Sequence, residues 1–485
     1  MKEPLWKKGP TTSSCRLMDF TPNYRGRPSL PNMMELPPDL PTLFSKFSRE
    51  LNRIRCSYPA LILMIDIRAI REDPDSIRQR LAVRHDGSAD LIDEVLRCDE
   101  NRRKAETAKQ QLQAERKKTS KEIGALRAKG EDSTSIEAQV KEIGEQIKSL
   151  EEEGSAAETR QNELLLNIPN LPHEDIPEGR SEEENPELRT WGEKPGITDP
   201  RDHVALAEDH GLISFEDGVR ISGSGFPVFR GTGARLQRAL IQYLLDMQTG
   251  EHGYEEVGVP YVVKRDCGLG TGQLPKFAEE VYPTENDELF LIPTAEVPVT
   301  NLYRDTLLQQ SDLPIKMTAH TPCWRREAGS AGRDNRGIIR VHQFDKVELV
   351  QIVHPDRSFE ALEELTGHAE KILQSLNLHY RVIELCGGDI GFGAARTYDI
   401  EVWAPGHGKY LEVSSCSNFT DYQARRMKLR FKDQQGKNRL CHTLNGSGTA
   451  LPRLYVALLE QNQQPDGSIS IPKPLVPYFG ADKIG

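Results

Sequence analysis

The sequence predicts an α+β protein in which a long antiparallel two-helix coiled-coil arm precedes a body of mixed helices and strands. Three observations carry this expectation. Two heptad-like series run between Asp90 and Leu165 with a short polar break, a strand, loop and strand pattern spans His320 to Val350, and helix-like and strand-like segments alternate from about Pro200 onward. At 485 residues, 37% of them hydrophobic, the chain has enough apolar content for two or three domains. No run approaches the roughly 20 apolar residues of a membrane span, so a soluble, cytoplasmic protein is expected. Eight cysteines are scattered without CxxC or Cys/His ligand spacing, which fits a reducing compartment and no zinc site. The net charge of −11 argues against a polyanionic partner only until its distribution is considered.

Residues 1–63 are proline-rich, with ten Lys or Arg against five Asp or Glu. Glu3, Asp19, Glu35 and Asp39 interrupt the basic bias of a targeting presequence, and the prolines oppose a long amphipathic helix. An N-terminal extension with little fixed structure, or one outside the mature fold, is expected. The remaining boundaries are a helical arm at 64–172, a linker at 173–200 and a globular domain at 201–485.

In the arm, Leu91, Val95, Cys98, Arg102, Ala105, Lys109, Leu112, Arg116, Thr119, Ile123 and Leu126 follow steps of four and three, and a second series runs from Ile136 to Leu164. The break at Lys129 to Asp132 is short, so the helices fold back on each other, each on the order of 50 Å long. A dimerisation or spacer coiled coil would share this pattern. The charge is asymmetric, however: Arg97 to Arg127 holds ten basic residues against five acidic, and Ile136 to Leu165 three against eight. Arg102, Arg103, Lys104, Lys109, Arg116, Lys117, Lys118 and Lys121 suit a phosphate backbone read by charge and shape.

The proline- and acid-rich stretch after Ile168 reads as the linker. Arg235 to Thr249 has helical periodicity and precedes the strand-like YEEVGVPYVV. In FLIPTAEVPVTN, Thr294 and Glu296 are expected side by side on a strand face. In the 320–350 hairpin, parity puts Arg325 with Glu327 on the first strand, and Arg340, Phe344 and Glu348 on one face of the second. Ile339, Val341, Val347 and Leu349 point the other way. Gly329, Gly332 and Gly337 lie in the loop beside Arg333, Asp334 and Arg336. A cation, a ring and a carboxylate on one face suit a nucleotide, although a solvated hairpin with cross-strand ion pairs has the same composition. RTYDIEVWAPGHGKYLEVSSCSNFTDYQARR reads as two strands about a PGHG turn and then a helix. In TLNGSGTALPRLYVALLE the Gly446 to Gly448 segment reads as a turn or a phosphate cradle, followed by a helix from about Pro452 with Leu454, Ala457 and Leu458 buried.

The run RREAGSAGRDNRGIIRVHQFDKVE resembles motif 2 of the class II aminoacyl-tRNA synthetases, in the form of the bacterial-type seryl-tRNA synthetase family, and the resemblance extends from about Met64 to the C-terminus. It implies the class II antiparallel sheet flanked by helices, a catalytic domain at 201–485, an arm that reaches the long variable arm of tRNA, and a homodimer formed through the helix and strand ending at Pro260. ATP and L-serine are the implied substrates, with Mg²⁺ as cofactor, tRNA(Ser) as acceptor and tRNA(Sec) as a second one. Arg325, Glu412 and Arg453 are the implied catalytic residues. Arg325 would straddle the α-phosphate and the serine carboxylate, Arg326 and Glu327 would hold ATP, and Arg340 would reach the triphosphate. Val341 would contact the nucleotide through its backbone, Phe344 would stack under adenine, and Arg453 would cover the opposite face. Glu412, Val413, Ser414 and Ser415 match the family's EVSS run, with Glu412 and Ser415 on Mg²⁺. Thr294, Ala295, Glu296, Arg325, Glu348, Asn445 and Ser447 would hold serine. Trp324 stands where the family more often has phenylalanine. A carrier-protein ligase of the same fold would lack the basic arm. A catalytically inactive RNA-binding relative would have lost several of Arg325, Glu327, Glu412 and Arg453, and all four are present.

Overall fold

The structure, a computed structural model, describes residues 65–285, 288–327 and 337–485. The expectations for residues 1–63 and for the loop residues 328–336 lie outside them. The described chain opens with two short helices, α1 (Ile67–Glu72) and α2 (Pro74–Ala82), whose first turns are capped by the Asp66 and Asp73 carboxylates. The arm follows as α3 (Leu91–Lys129) and α4 (Thr134–Leu166), packed along their length. Gly130, at φ 72°, ends α3 in the left-handed conformation that a side chain disfavours, and three further residues complete the reversal.

Burial along the arm is graded. At its root Ile92, Val95, Cys98 and Leu164 to Leu166 join Ile70, Leu81, Phe290, Ile292 and Val297 in one apolar cluster. Beyond Ala105, no residue of α3 is fully buried, and the distal seam is closed from the side of α4, by Ile143 and Ile147. The buried Arg84 anchors the root, donating to the carbonyls of Asn170 (3.0 Å), Ile390 (3.1 Å) and Ala394 (2.7 Å). Asn170 adds bonds from its amide to the carbonyls of Gly393 and Phe419.

The body is built on an eight-stranded sheet with order β1-β5-β6-β7-β8-β4-β3-β2. The strands are β1 (Glu187–Trp191), β2 (Glu255–Glu256), β3 (Ile315–Trp324), β4 (Gln343–Val353), β5 (Tyr380–Glu384), β6 (Arg396–Ala404), β7 (Lys409–Asn418) and β8 (His442–Ala450). All neighbours pair antiparallel except β2 with β3. The 173–200 stretch contributes β1, the strand on one edge of the sheet. Helices α5 (His203–Asp209), α6 (Gly231–Gly250), α7 (Glu296–Asn301), α8 (Ser358–Ser375), α9 (Tyr422–Met427) and α10 (Leu451–Gln461) flank it.

Alternation along β4 decides what each face carries. Val347, Leu349 and Val353 enter the main core with α6, α8 and α10. Val350 and Ile352, of the opposite parity, pack with Val299 of α7 and Ala424 and Met427 of α9. Phe344, Lys346 and Glu348 continue that second series toward the hairpin loop.

Three local readings need correction. The strand-like YEEVGVPYVV is two short strands, Glu255–Glu256 and Val262–Lys264, parted around Gly258 and Pro260, which weaken or cannot join a ladder. The Gly446 to Gly448 segment is neither turn nor cradle but runs inside β8. Gly446 is small because Leu365 of α8 and the Cys416 sulfur occupy the space a Cβ would need. The hairpin strands are shorter than parity assumed: β3 ends at Trp324 and β4 starts at Gln343, paired to each other at that point, so Arg325, Glu327, Ile339, Arg340 and Val341 all belong to the loop's roots.

Candidate active site

At one end of the site is a buried polar cluster. Thr294 donates its hydroxyl to Glu348 Oε2 at 2.8 Å and receives Lys346 Nζ at 2.8 Å. Lys346 also forms an ion pair with Glu348, and the Asn445 amide donates to Glu348 Oε1. Thr294 and Glu296 are adjacent, but not as strand neighbours. Thr294 lies in a bend, and its hydroxyl accepts the N–H of Glu296 (3.2 Å), the first residue of α7. Ala295 between them is buried against Val299. The Glu296 carboxylate is held by the amides of Gln423 (2.6 Å) and Gln273 (3.1 Å), and Thr443 in turn donates to Gln423 at 2.7 Å. Burial, reinforced by the nearby charge of Glu348, pushes the Glu296 carboxyl up to about 7. Ser447 is buried on β8 in register with Glu348, and its carbonyl accepts from the Ser414 hydroxyl at 2.5 Å.

The other end is cationic and aromatic. Phe344 and Glu348, four residues apart on one strand face, lie about 13 Å apart at the usual rise. The Arg325 guanidinium sits 5.3 Å from the Phe344 ring centroid and donates from Nε to the Pro293 carbonyl at 3.2 Å. Arg325 N–H bonds the His342 carbonyl at 2.9 Å, which closes the roots of the loop on each other. Glu327, at φ 52°, pairs with Arg340. Arg326 turns away, exposed, toward the Val281 carbonyl (3.0 Å) and the Tyr282 ring (4.6 Å). Val341 is buried in the main core, so only its backbone can face a ligand.

Opposite the loop, Arg453 at the start of α10 donates to the Glu412 carbonyl at 2.8 Å, to Glu412 Oε2 at 3.2 Å and to the Ile339 carbonyl at 3.3 Å. Glu412 pairs with Glu401 and Ser414 with Ile400, which makes Val413 the extra residue of a bulge. The bulge carries Ser415, three residues on, to a position opposite Asp399, so Glu412 and Ser415 share one cavity of about 720 Å³ with Asp399, Glu401 and Arg453. Asp399 keeps one buried carboxylate oxygen without a hydrogen-bond partner. Burial and the Glu412 charge hold its carboxyl well above the usual carboxylate range. Oxygen donors with an unsatisfied buried carboxylate fit a hard divalent cation.

Sequence models of two families match this chain: the seryl-tRNA synthetase N-terminal domain over residues 64–172, and the tRNA synthetase class II core domain (G, H, P, S and T) over residues 277–462. A serine–tRNA ligase of Akkermansia muciniphila is 68% identical over 421 residues, covering 87% of this chain and 99% of that protein. This chain belongs to the seryl-tRNA synthetase family. A Methylacidiphilum infernorum serine–tRNA ligase is 50% identical over 86% of this chain and 99% of its own length. Among solved structures, seryl-tRNA synthetase from Pyrococcus horikoshii complexed with ATP superposes with a TM-score of 0.82 at 37% identity, covering 87% of this chain and 99% of that one. The class II fold expected from the seryl-tRNA synthetase resemblance is thus the fold observed.

Several residues of the site escaped the sequence reading. Lys346 carried a usable signal, since it shares parity with Phe344 and Glu348. Asp399 was legible in the same way, two residues before Glu401 in a strand facing the EVSS run. Gln273 and Gln423 gave no signal, because they reach Glu296 from a loop and a helix distant in sequence.

Proposed function

We propose that this chain activates L-serine with ATP and transfers the seryl group to tRNA(Ser), with tRNA(Sec) as a second acceptor. The observation that carries the reading is the pairing of two environments on one face of β4: a ring and guanidinium at Phe344 and Arg325, and a buried cluster of Thr294, Glu296, Glu348 and Asn445 one strand segment away. The first suits adenosine triphosphate. The second offers carboxylate to an ammonium and hydrogen-bonding partners to a hydroxyl.

In this reading a carboxylate oxygen of serine attacks the α-phosphorus in line, and pyrophosphate leaves. The terminal ribose hydroxyl of tRNA then attacks the carbonyl carbon of seryl-adenylate, and AMP leaves. No protein nucleophile takes part, so rate comes from positioning and charge stabilisation. Arg325 orients the carboxylate against the α-phosphate, because its planar fork can bridge two oxygens. Arg340 holds the triphosphate side with Glu327, and Arg453 covers adenine opposite Phe344. Glu412 and Ser415 would hold Mg²⁺, which neutralises phosphate charge when bound. Alanine is rejected because it would leave the polar groups of the serine pocket unpaired. The basic helix of the arm tracks tRNA, a homodimer forms through α6 and the segment ending at Pro260, and the enzyme works in the cytoplasm.

Serine-dependent exchange of labelled pyrophosphate into ATP tests the reading. Arg325→Ala should retain its circular dichroism and melting transition while losing about 10²–10³-fold in exchange rate. Near-normal exchange in that variant would contradict it.

A further inference from the structure

Among the described residues, His203, His407 and Glu460 bring three potential metal-ligand atoms within 4.8 Å of one another, and none of the three is among the serine or nucleotide groups described above. The hydrogen bonds point to a different role. His203 opens α5 and Glu460 lies in the last turn of α10, both without exposed surface. One oxygen of Glu460 accepts the His203 backbone N–H at 2.9 Å and lies 3.1 Å from ring Nδ1, while the other accepts the Gly406 N–H at 2.9 Å. A carboxylate only accepts, so Nδ1 carries the ring proton. That leaves Nε2 with a lone pair, which accepts the Ile338 N–H at 3.3 Å. Both ring nitrogens are committed without an ion.

What this relay grips is the returning root of the hairpin loop. Gly337 stands at φ 73°, and a side chain there would run into His203 Nε2. Ile338 is fully buried, the Ile339 carbonyl accepts from Arg453, and Arg340 is paired with Glu327. Arg453 and Glu460 are seven residues apart on α10, two turns along one face. The loop's return is therefore tied to α10 twice, directly through Arg453 and indirectly through His203. If Arg453 turns to cover adenine it gives up Ile339, and the His203 bond is the tie that remains.

We infer that His203, oriented by Glu460, is a positioning residue that fixes Arg340 for the triphosphate without touching either substrate. The inference rests on the proposed reading of the site as an ATP site. Two substitutions of the same ring separate its two bonds. His203→Asn places an amide near the Nδ1 position, keeping the donor to Glu460 and losing the acceptor for Ile338. His203→Gln reaches the Nε2 position and keeps that acceptor.

In serine-dependent exchange with the full chain, His203→Asn should raise the ATP KM about tenfold, the worth of one buried hydrogen bond, with the serine KM within about twofold of wild type. His203→Gln should recover most of the ATP KM. Amide hydrogen exchange in the peptide containing Ile338 should quicken in the Asn variant and not in the Gln variant. An unchanged ATP KM in His203→Asn, the opposite order of the two variants, or equal rises in both KM values would overturn the inference. So would stoichiometric zinc in the purified protein that is lost in His203→Asn, since a bound ion would take a ring nitrogen from one of its two partners. Absence of serine-dependent exchange in the wild type would instead refute the functional reading beneath it.

Discussion

Glu296 shows how a single side chain can carry a testable consequence. Its carboxyl titrates near 7 because it is buried beside the charge of Glu348. The folded value is raised above the unfolded one, near 4.3. Its stabilising contribution is therefore complete below that unfolded value and is lost as pH rises through about 7. Binding is linked in the opposite sense, because an ammonium ligand favours the ionised carboxylate. The serine KM should fall as pH is raised from about 6 to about 8, and Glu296→Gln should abolish that trend. A wild-type serine KM flat across this range would exclude Glu296 as the ammonium partner. The residue was legible from the TAE run, but the geometry was not: a hydroxyl-capped bend, rather than strand alternation, sets Thr294 against Glu296. Parity worked where the ladder is continuous, at Phe344 and Glu348, and failed at Arg340, where the chain has already left the sheet.

Among the elements, β8 and the arm make separate demands. Gly446 lies within a strand beneath Leu365 and Cys416, so Gly446→Ala must push aside the buried Leu365 side chain of α8 and the Cys416 sulfur. It should destabilise the protein by about 1–3 kcal/mol in denaturant unfolding; a neutral result would mean that α8 yields freely. The sequence showed the glycines but not their reason, because the neighbour that needs the space is some 80 residues away. The Val413 bulge was equally hidden, although it is what brings Glu412 and Ser415 to one cavity. The two arm helices were clear from periodicity and charge, since local spacing alone determines them. Within the arm, Arg102, Lys104 and Lys109 pair with Asp99, Glu100 and Glu106. Among the described residues, no ion pair takes Arg116, Lys117, Lys118 or Lys121, all exposed along the distal half, and Arg103 is likewise exposed. Replacing those four distal cations by alanine should weaken tRNA binding and lower the slope of log affinity against log salt by roughly three, while pyrophosphate exchange continues. An unchanged slope would remove this stretch from the tRNA interface.

At the scale of the molecule, the arm and the sheet have different physical requirements. The sheet buries its polar cluster away from water, while the arm leaves a thin seam and a charged face exposed. Arg84 and Asn170 fasten the arm's root to the body through main-chain carbonyls. No helix among the described residues is long and apolar enough to cross a membrane. Under the proposed function labour divides: chemistry on the face of β4, choice of RNA on the arm helices. The most direct test of this account is a crystal structure of the chain with a non-hydrolysable seryl-adenylate analogue. The account predicts the adenine between Phe344 and Arg453, the α-phosphate mimic on Arg325, and the seryl ammonium at Glu296. Electron density for the compound at another location, with this face open and empty, would contradict it.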